Sequence, residues 1–138
     1  GSIVEKRVQK RILDEHLGEL PVGDAFVVET DHTEHPYMVY APTMRVPMDV
    51  DETDYAYVSM WAALTAIHRH NRDHTRKIES VVCVGLGTGT GRIHPTQAAY
   101  HMAQAWKNYQ NPPRHMSWGM ADKRHYHVEF VGKNLKSH

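Results

Sequence analysis

The chain has 138 residues, no net charge at neutral pH and a single cysteine. This length suffices for one domain with its own core, so we expect a single domain over residues 1–138, and one cysteine excludes a disulfide framework. Because no long apolar run is present, we expect a soluble, cytoplasmic protein with no membrane partner.

The charges are distributed unevenly along the chain. Residues 1–54 carry twelve acidic and five basic side chains, whereas residues 55–138 carry four acidic and eleven basic ones. A basic half is compatible with an anionic ligand such as a nucleotide, and attraction between two oppositely charged halves of one fold explains it equally well. We expect no nucleic-acid partner, because there is no dense basic run and no basic stripe interleaved with aromatic residues.

The first forty residues predict a helix followed by two strands. Apolar residues recur every four positions over residues 3–17, which is typical of an amphipathic helix, and Gly18 ends it. Residues 25–30 and 37–41 are rich in β-branched and aromatic side chains and predict strands. The second is almost entirely apolar, as expected of a strand that is covered on both faces.

A loop bracketed by two prolines, Pro42–Pro47, follows the second strand. Arg45 lies inside it, where its guanidinium would either form part of the rim of a ligand site or pair with the acidic residues that follow. Those acidic residues suit the N-terminus of the next helix through capping and the helix dipole; they are Asp49, Asp51, Glu52 and Asp54.

The next helix is predicted over residues 55–69, with Trp61 on its apolar face as a core residue. His70 and His74 are four residues apart near its end. The glutamate that follows the first histidine in the HExxH zinc motif is missing, and the helix dipole explains histidines at a helix C-terminus. We therefore expect no metal site, and no motif predicts a cofactor.

A further strand is predicted from about residue 78 to residue 84, with Cys83 as a small core residue inside it. Pro95 fits the first turn of a following helix, which residues 111–113 end. One more strand is possible over residues 127–131. The alternation of strands, loops and helices predicts an α/β sheet with helices on both faces.

Ligands of such sheets collect at the carboxyl ends of the strands. Two loops leave such ends, Pro42–Pro47 and Gly85–Arg92, and we expect them to form one site. In the second loop, glycines at alternate positions would let the backbone turn its amides toward an anion, next to the N-terminus of a helix. A tight glycine turn without a ligand is the alternative.

The glycine loop matches none of the common phosphate or nucleophile motifs. It has no lysine for a Walker A loop, it fails the GxGxxG spacing in every register, and it contains no GxSxG elbow. What remains is a loop suited to wrapping a diphosphate with backbone amides. Its residues are Gly85, Leu86, Gly87, Thr88, Gly89, Thr90, Gly91 and Arg92.

The order of these segments resembles the macro domain family, particularly the macro-like proteins of phages and bacteria. The resemblance covers roughly residues 4–110 and includes the glycine loop, residues 22–25 before the first strand, and the stretch Pro42-Thr43-Met44-Arg45-Val46-Pro47. Residues 111–138 remain an unplaced C-terminal extension. The resemblance implies a three-layer α/β/α sandwich around a mixed sheet.

The resemblance also implies a function and a site. Macro domains bind ADP-ribose or its derivatives, and some hydrolyse ADP-ribosyl linkages or ADP-ribose phosphate esters. Gly87 to Gly91 would embrace the diphosphate and the distal ribose, with Gly85 and Leu86 leading into the loop, while Pro42, Thr43 and Arg45 would border the ribose. We expect a binding module. The alternatives are a hydrolase and a structural or assembly protein, such as a viral one, with an unused pocket.

Residues 1–24 depart from the family. They match neither the amino-terminal strands nor the Asn-rich first loop of macro domains, which implies a truncated or reduced variant. The hydrolytic members depend largely on that first loop, so no catalytic residue is assigned. A sheet without those strands would leave a long edge, and we therefore expect a homo-oligomer or a companion fragment.

Overall fold

The computed structural model describes residues 2–131 and Leu135. Four α-helices, two strands and a π-helical segment succeed one another in these residues. They are α1 (Ile3–His16), β1 (Phe26–Glu29), β2 (Tyr37–Tyr40), α2 (Tyr55–Asp73), α3 (Pro95–Gln110), α4 (Trp118–Tyr126) and the π-helix His127–Val131. The described chain thus combines helices with a small antiparallel sheet, which is a mixed α/β fold.

The predicted first helix is confirmed, and its ends follow from local chemistry. The Ser2 hydroxyl accepts a hydrogen bond from the Glu5 amide at 3.1 Å and so caps the N-terminus. At the other end, Leu17 and Gly18 both have positive φ angles, and the Gly18 amide donates a hydrogen bond to the Ile12 carbonyl, which ends the helix.

Strands β1 and β2 pair antiparallel, with Phe26 opposite Tyr40 and Glu29 opposite Tyr37. Alternate residues of the pair face opposite helices. Phe26 and Val28 pack with Val8 of α1 in one apolar cluster. The other cluster contains Ala25 together with Ala62 and Ala66 of α2, and Val27, Val39 and Ala41 pack against it. Both faces of the sheet therefore contact a helix, as the apolar sequence of the second strand predicts.

The predicted strand over residues 78–84 is wrong. Residues 77–85 run without helix, strand, turn or bend, and Val82 has 93% of its surface exposed. Cys83 is exposed too, so its prediction as a core residue is also wrong. The neighbouring apolar atoms still raise the pKa of the Cys83 thiol, which disfavours a reactive thiolate.

The strand predicted over residues 127–131 is wrong as well, because this segment is a π-helix that continues α4. Val128 is buried there, and its carbonyl lies 3.0 Å from His101 Nε2 on α3. The guanidinium of Arg124 lies over the ring of Trp61 at 5.2 Å. The described part of the C-terminal extension thus packs on α2 and α3, and Trp61 is half-buried beneath it.

None of the helices in the described residues is long and apolar enough to cross a membrane.

Candidate functional site

The two loops predicted to form one site meet at one apolar cluster. Its buried members are Val50, Ala56, Ile93 and Ala98. Met44 of the Pro42–Pro47 loop and Leu86 of the glycine loop both pack against this cluster. The sequence pattern did not single out Val50 or Ile93, although an isolated apolar residue beside a glycine loop is a usable signal for such an anchor.

The backbone of the glycine loop folds on itself and is tied to the cluster. The Ile93 amide donates to the Gly87 carbonyl at 2.9 Å, and the Val50 amide donates to the Gly91 carbonyl at 2.8 Å. The Arg92 amide donates to the Gly89 carbonyl at 3.0 Å, which closes a turn at the tip. Backbone hydrogen bonds to Val50 and Ile93, two residues of the apolar cluster, therefore fix the loop.

Two glycines are required by this packing. Gly87 has a φ of +72°, and a Cβ atom there would lie 2.6 Å from Cδ1 of Ile93. A Cβ atom on Gly91 would lie 2.7 Å from both the Gly87 carbonyl oxygen and Cγ2 of Val50. Gly89, by contrast, has no atom within 4 Å of such a Cβ and faces open space.

Several backbone amides of this loop have no acceptor. Within residues 2–131, the N–H groups that make no hydrogen bond to the protein include those of Leu86, Gly87, Gly89, Thr90 and Gly91. The N-terminus of α3 begins shortly after the loop, with Pro95 at its first position. Unused amides next to a helix N-terminus form a region of positive potential suited to an anion.

The loop side chains have separate roles. The Thr88 hydroxyl donates to the Gly85 carbonyl at 2.8 Å and braces the turn, whereas Thr90 is exposed. Arg92 is exposed with a φ of 62°. Nδ1 of His94 accepts from the Thr96 amide at 3.1 Å, so this imidazole is the N-cap of α3.

The Pro42–Pro47 loop presents little charge toward the glycine loop. Nε of Arg45 forms an ion pair with Glu19 at 2.6 Å, and its side chain is 78% exposed. The alternative in which Arg45 pairs with the following acidic cluster is therefore wrong. Thr43 is half-buried, and the Pro42 carbonyl accepts a hydrogen bond from the buried Ser59 hydroxyl at 2.9 Å.

Replacing Ser59 by alanine is expected to lower the free energy of unfolding by about 1 kcal/mol, because the Pro42 carbonyl loses its donor. Urea unfolding measures the difference. Thr75→Ala, which also removes a hydroxyl but at an exposed position, is the control and should leave the midpoint unchanged. Equal effects of the two substitutions would show that Ser59 does not hold this loop.

The histidines at the end of α2 form local contacts. The rings of His70 and His74 stack with centroids 4.2 Å apart, and His70 Nε2 lies 3.0 Å from the Arg76 carbonyl oxygen. Among the residues that the structure describes, no group of three or more His, Cys, Asp or Glu side chains could hold a metal ion.

A cavity of about 650 Å³ lies away from the glycine loop, between α1, β1 and α2. Two of the three arginines in its wall have partners within the fold. Arg7 binds Asp31 and the Glu29 carbonyl, and Arg11 binds Glu15 and the Val27 carbonyl. Arg69, also in the wall, makes no hydrogen bond or ion pair with the described residues. The glycine loop offers five unused backbone amides beside a helix N-terminus, and we therefore take it as the candidate anion site.

Comparison of the chain with protein-family models, curated proteins and solved structures finds no match.

Proposed function

We propose that the chain binds ADP-ribose or a related nucleotide diphosphate through the glycine loop. The observation that supports this most strongly is a set of backbone amides without an acceptor, on a loop that Ile93 and Val50 anchor. These amides belong to Leu86, Gly87, Gly89, Thr90 and Gly91. A fixed loop loses little conformational entropy when it binds a ligand, and charge-assisted hydrogen bonds from backbone amides to phosphate oxygens are strong.

In this proposal the diphosphate lies over Gly87 to Gly91, near the N-terminus of α3. The exposed guanidinium of Arg92 would add a positive charge at the same end of the loop. Met44 brings the Pro42–Pro47 loop to the same apolar cluster, where Thr43 and Arg45 would border the ribose. The fold proposed with this function is the three-layer α/β/α sandwich of macro domains.

Binding is proposed rather than hydrolysis, because the site offers no placed general base. His94 is the imidazole nearest the loop along the chain, and its Nδ1 is occupied as the cap of α3. The hydroxyl of Thr88 is also committed, to the Gly85 carbonyl. General-base catalysis requires a free acceptor within hydrogen-bond reach of the proton to be abstracted.

Isothermal titration with ADP-ribose tests the proposal, and Gly89→Glu is the informative variant. The new side chain has room, so the fold should persist, while its carboxylate repels the diphosphate. We expect the affinity to fall at least about tenfold, which corresponds to about 1.4 kcal/mol. AMP, which lacks the diphosphate, should bind the parent chain more weakly than ADP-ribose.

Gly119→Glu is the matched control, because a Cβ atom at Gly119 also meets no atom within 4 Å and the residue lies in α4, outside the proposed site. This variant should bind ADP-ribose like the parent chain. The proposal is wrong if the parent chain gives no binding heat, or if both glutamate variants weaken binding equally. Release of free ADP-ribose from an ADP-ribosylated protein would favour the hydrolase instead.

A further inference from the structure

The two edges of the β1–β2 sheet differ in whether side chains of the same chain bond to their outward backbone groups. At the outer edge of β1, Nη1 of Arg11 donates to the Val27 carbonyl at 2.6 Å, and Nη1 of Arg7 donates to the Glu29 carbonyl at 2.8 Å. These arginines lie one turn apart on α1. They occupy the outward carbonyls that another strand would bond, and their side chains block its approach, which closes this edge.

The outer edge of β2 has no such protection. The Thr30 amide donates to the Pro36 carbonyl, so Thr30 and Pro36 form a hydrogen-bonded pair. Along an antiparallel ladder every second pair is of this kind, and Tyr37 and Val39 belong to the pairs in between. The backbone groups of Tyr37 and Val39 consequently point away from β1. Within residues 2–131, β1 is the only strand paired with β2, and no side chain bonds to these outward groups.

The same chain exposes a segment with the composition of a strand. Residues 78–84 contain three valines and an isoleucine, with Glu79 as their single charge. Val82 is almost fully exposed, and Val81 and Val84 are exposed as well. In the described part of the chain, the amides of residues 79–84 donate to no protein acceptor. Such a run is a template for pairing with another strand.

We propose that these two features meet between two copies of the chain: residues 79–84 of one copy pair with the outer edge of β2 of the other, and the exchange is reciprocal. Such an interface has two-fold symmetry, the commonest arrangement of homo-oligomers. Each copy supplies an apolar strand with one charge, so little charge is desolvated when the strands pair. This interface does not depend on the proposed ligand.

Sedimentation of the full chain tests the dimer. The parent chain should show a concentration-dependent mass approaching twice the 15.9 kDa of one chain. Val82→Lys should sediment at the mass of one chain, because it places a charge in the proposed interface. Since Val82 is exposed in the single chain, this substitution should leave the fold intact, and circular dichroism checks that.

Met116→Lys is the matched control, because Met116 is 82% exposed and lies outside both pairing segments. It should keep the dimer. Hydrogen exchange then locates the contact: the amides of Tyr37, Val39 and residues 79–84 should become protected as concentration rises, and only in dimer-forming variants. A parent chain of one-copy mass at all concentrations overturns the proposal, as does protection confined to residues 79–84.

Discussion

Replacing Ile93 by alanine is expected to lower the free energy of unfolding by about 2–5 kcal/mol, the usual loss for a buried isoleucine. Ile93 is only 1% exposed, and it packs with Val50, Ala56 and Ala98. The substitution removes apolar contacts and leaves a cavity directly beneath Gly87, because Cδ1 of Ile93 fills the space there. Urea unfolding followed by circular dichroism measures the loss.

Leu13→Ala is the control for the Ile93 substitution. Leu13 is exposed on α1, so the same kind of truncation there should change the free energy of unfolding by less than about 0.5 kcal/mol. If the two substitutions cost the same, Ile93 is not a core residue and the glycine loop is not anchored as described. At temperatures where Ile93→Ala remains folded, its weaker support of Gly87 should also reduce ADP-ribose affinity.

Replacing Gly91 by alanine is expected to destabilise the fold by about 1–3 kcal/mol, the range for overpacking a filled site. The added Cβ atom would lie 2.7 Å from the Gly87 carbonyl oxygen. That oxygen belongs to the backbone and already accepts a hydrogen bond from the Ile93 amide, so it cannot move without weakening that hydrogen bond. Thermal unfolding should show a lower midpoint.

Gly89→Ala provides the internal comparison, since it makes the same chemical change two residues earlier. Its Cβ atom meets nothing within 4 Å, and Gly89 has no left-handed φ angle. Because alanine restricts the unfolded chain more than glycine does, this variant should be unchanged or more stable by about 0.4–1 kcal/mol. Loss of stability in Gly89→Ala but not in Gly91→Ala would contradict the described loop.

Elements with a strong local pattern could be predicted from the sequence. The four-residue apolar repeat of α1, the stop at Gly18 and the start of α3 at Pro95 depend on neighbouring residues, and all are confirmed. The strands over residues 25–30 and 37–41 are confirmed as β1 and β2, slightly shorter than predicted. The packing of β2 on both of its faces was predictable because its sequence is apolar throughout, and each of its residues is half-buried.

The errors occurred where a structure depends on distant partners. Residues 78–84 have the composition of a buried strand, but composition supplies no neighbouring strand, and within the described residues none pairs with them. Residues 127–131 also have the composition of a strand, but they form a π-helix, and Val128 contacts α3 from that helix. β-propensity therefore identified strand-forming side chains without specifying their pairing.

The sequence by itself determined α1, α2, α3, the two paired strands and the presence of a loop rich in backbone donors, whereas α4 was not predicted from it. Only the tertiary structure decided that Met44 and Leu86 meet on one cluster, that Gly91 is buried while Gly89 is open, and that Arg45 pairs with Glu19. It also decided that Arg7 and Arg11 close one edge of the sheet. The physical reason is range: helix periodicity and turn chemistry act over a few residues, whereas these contacts join segments far apart in the chain.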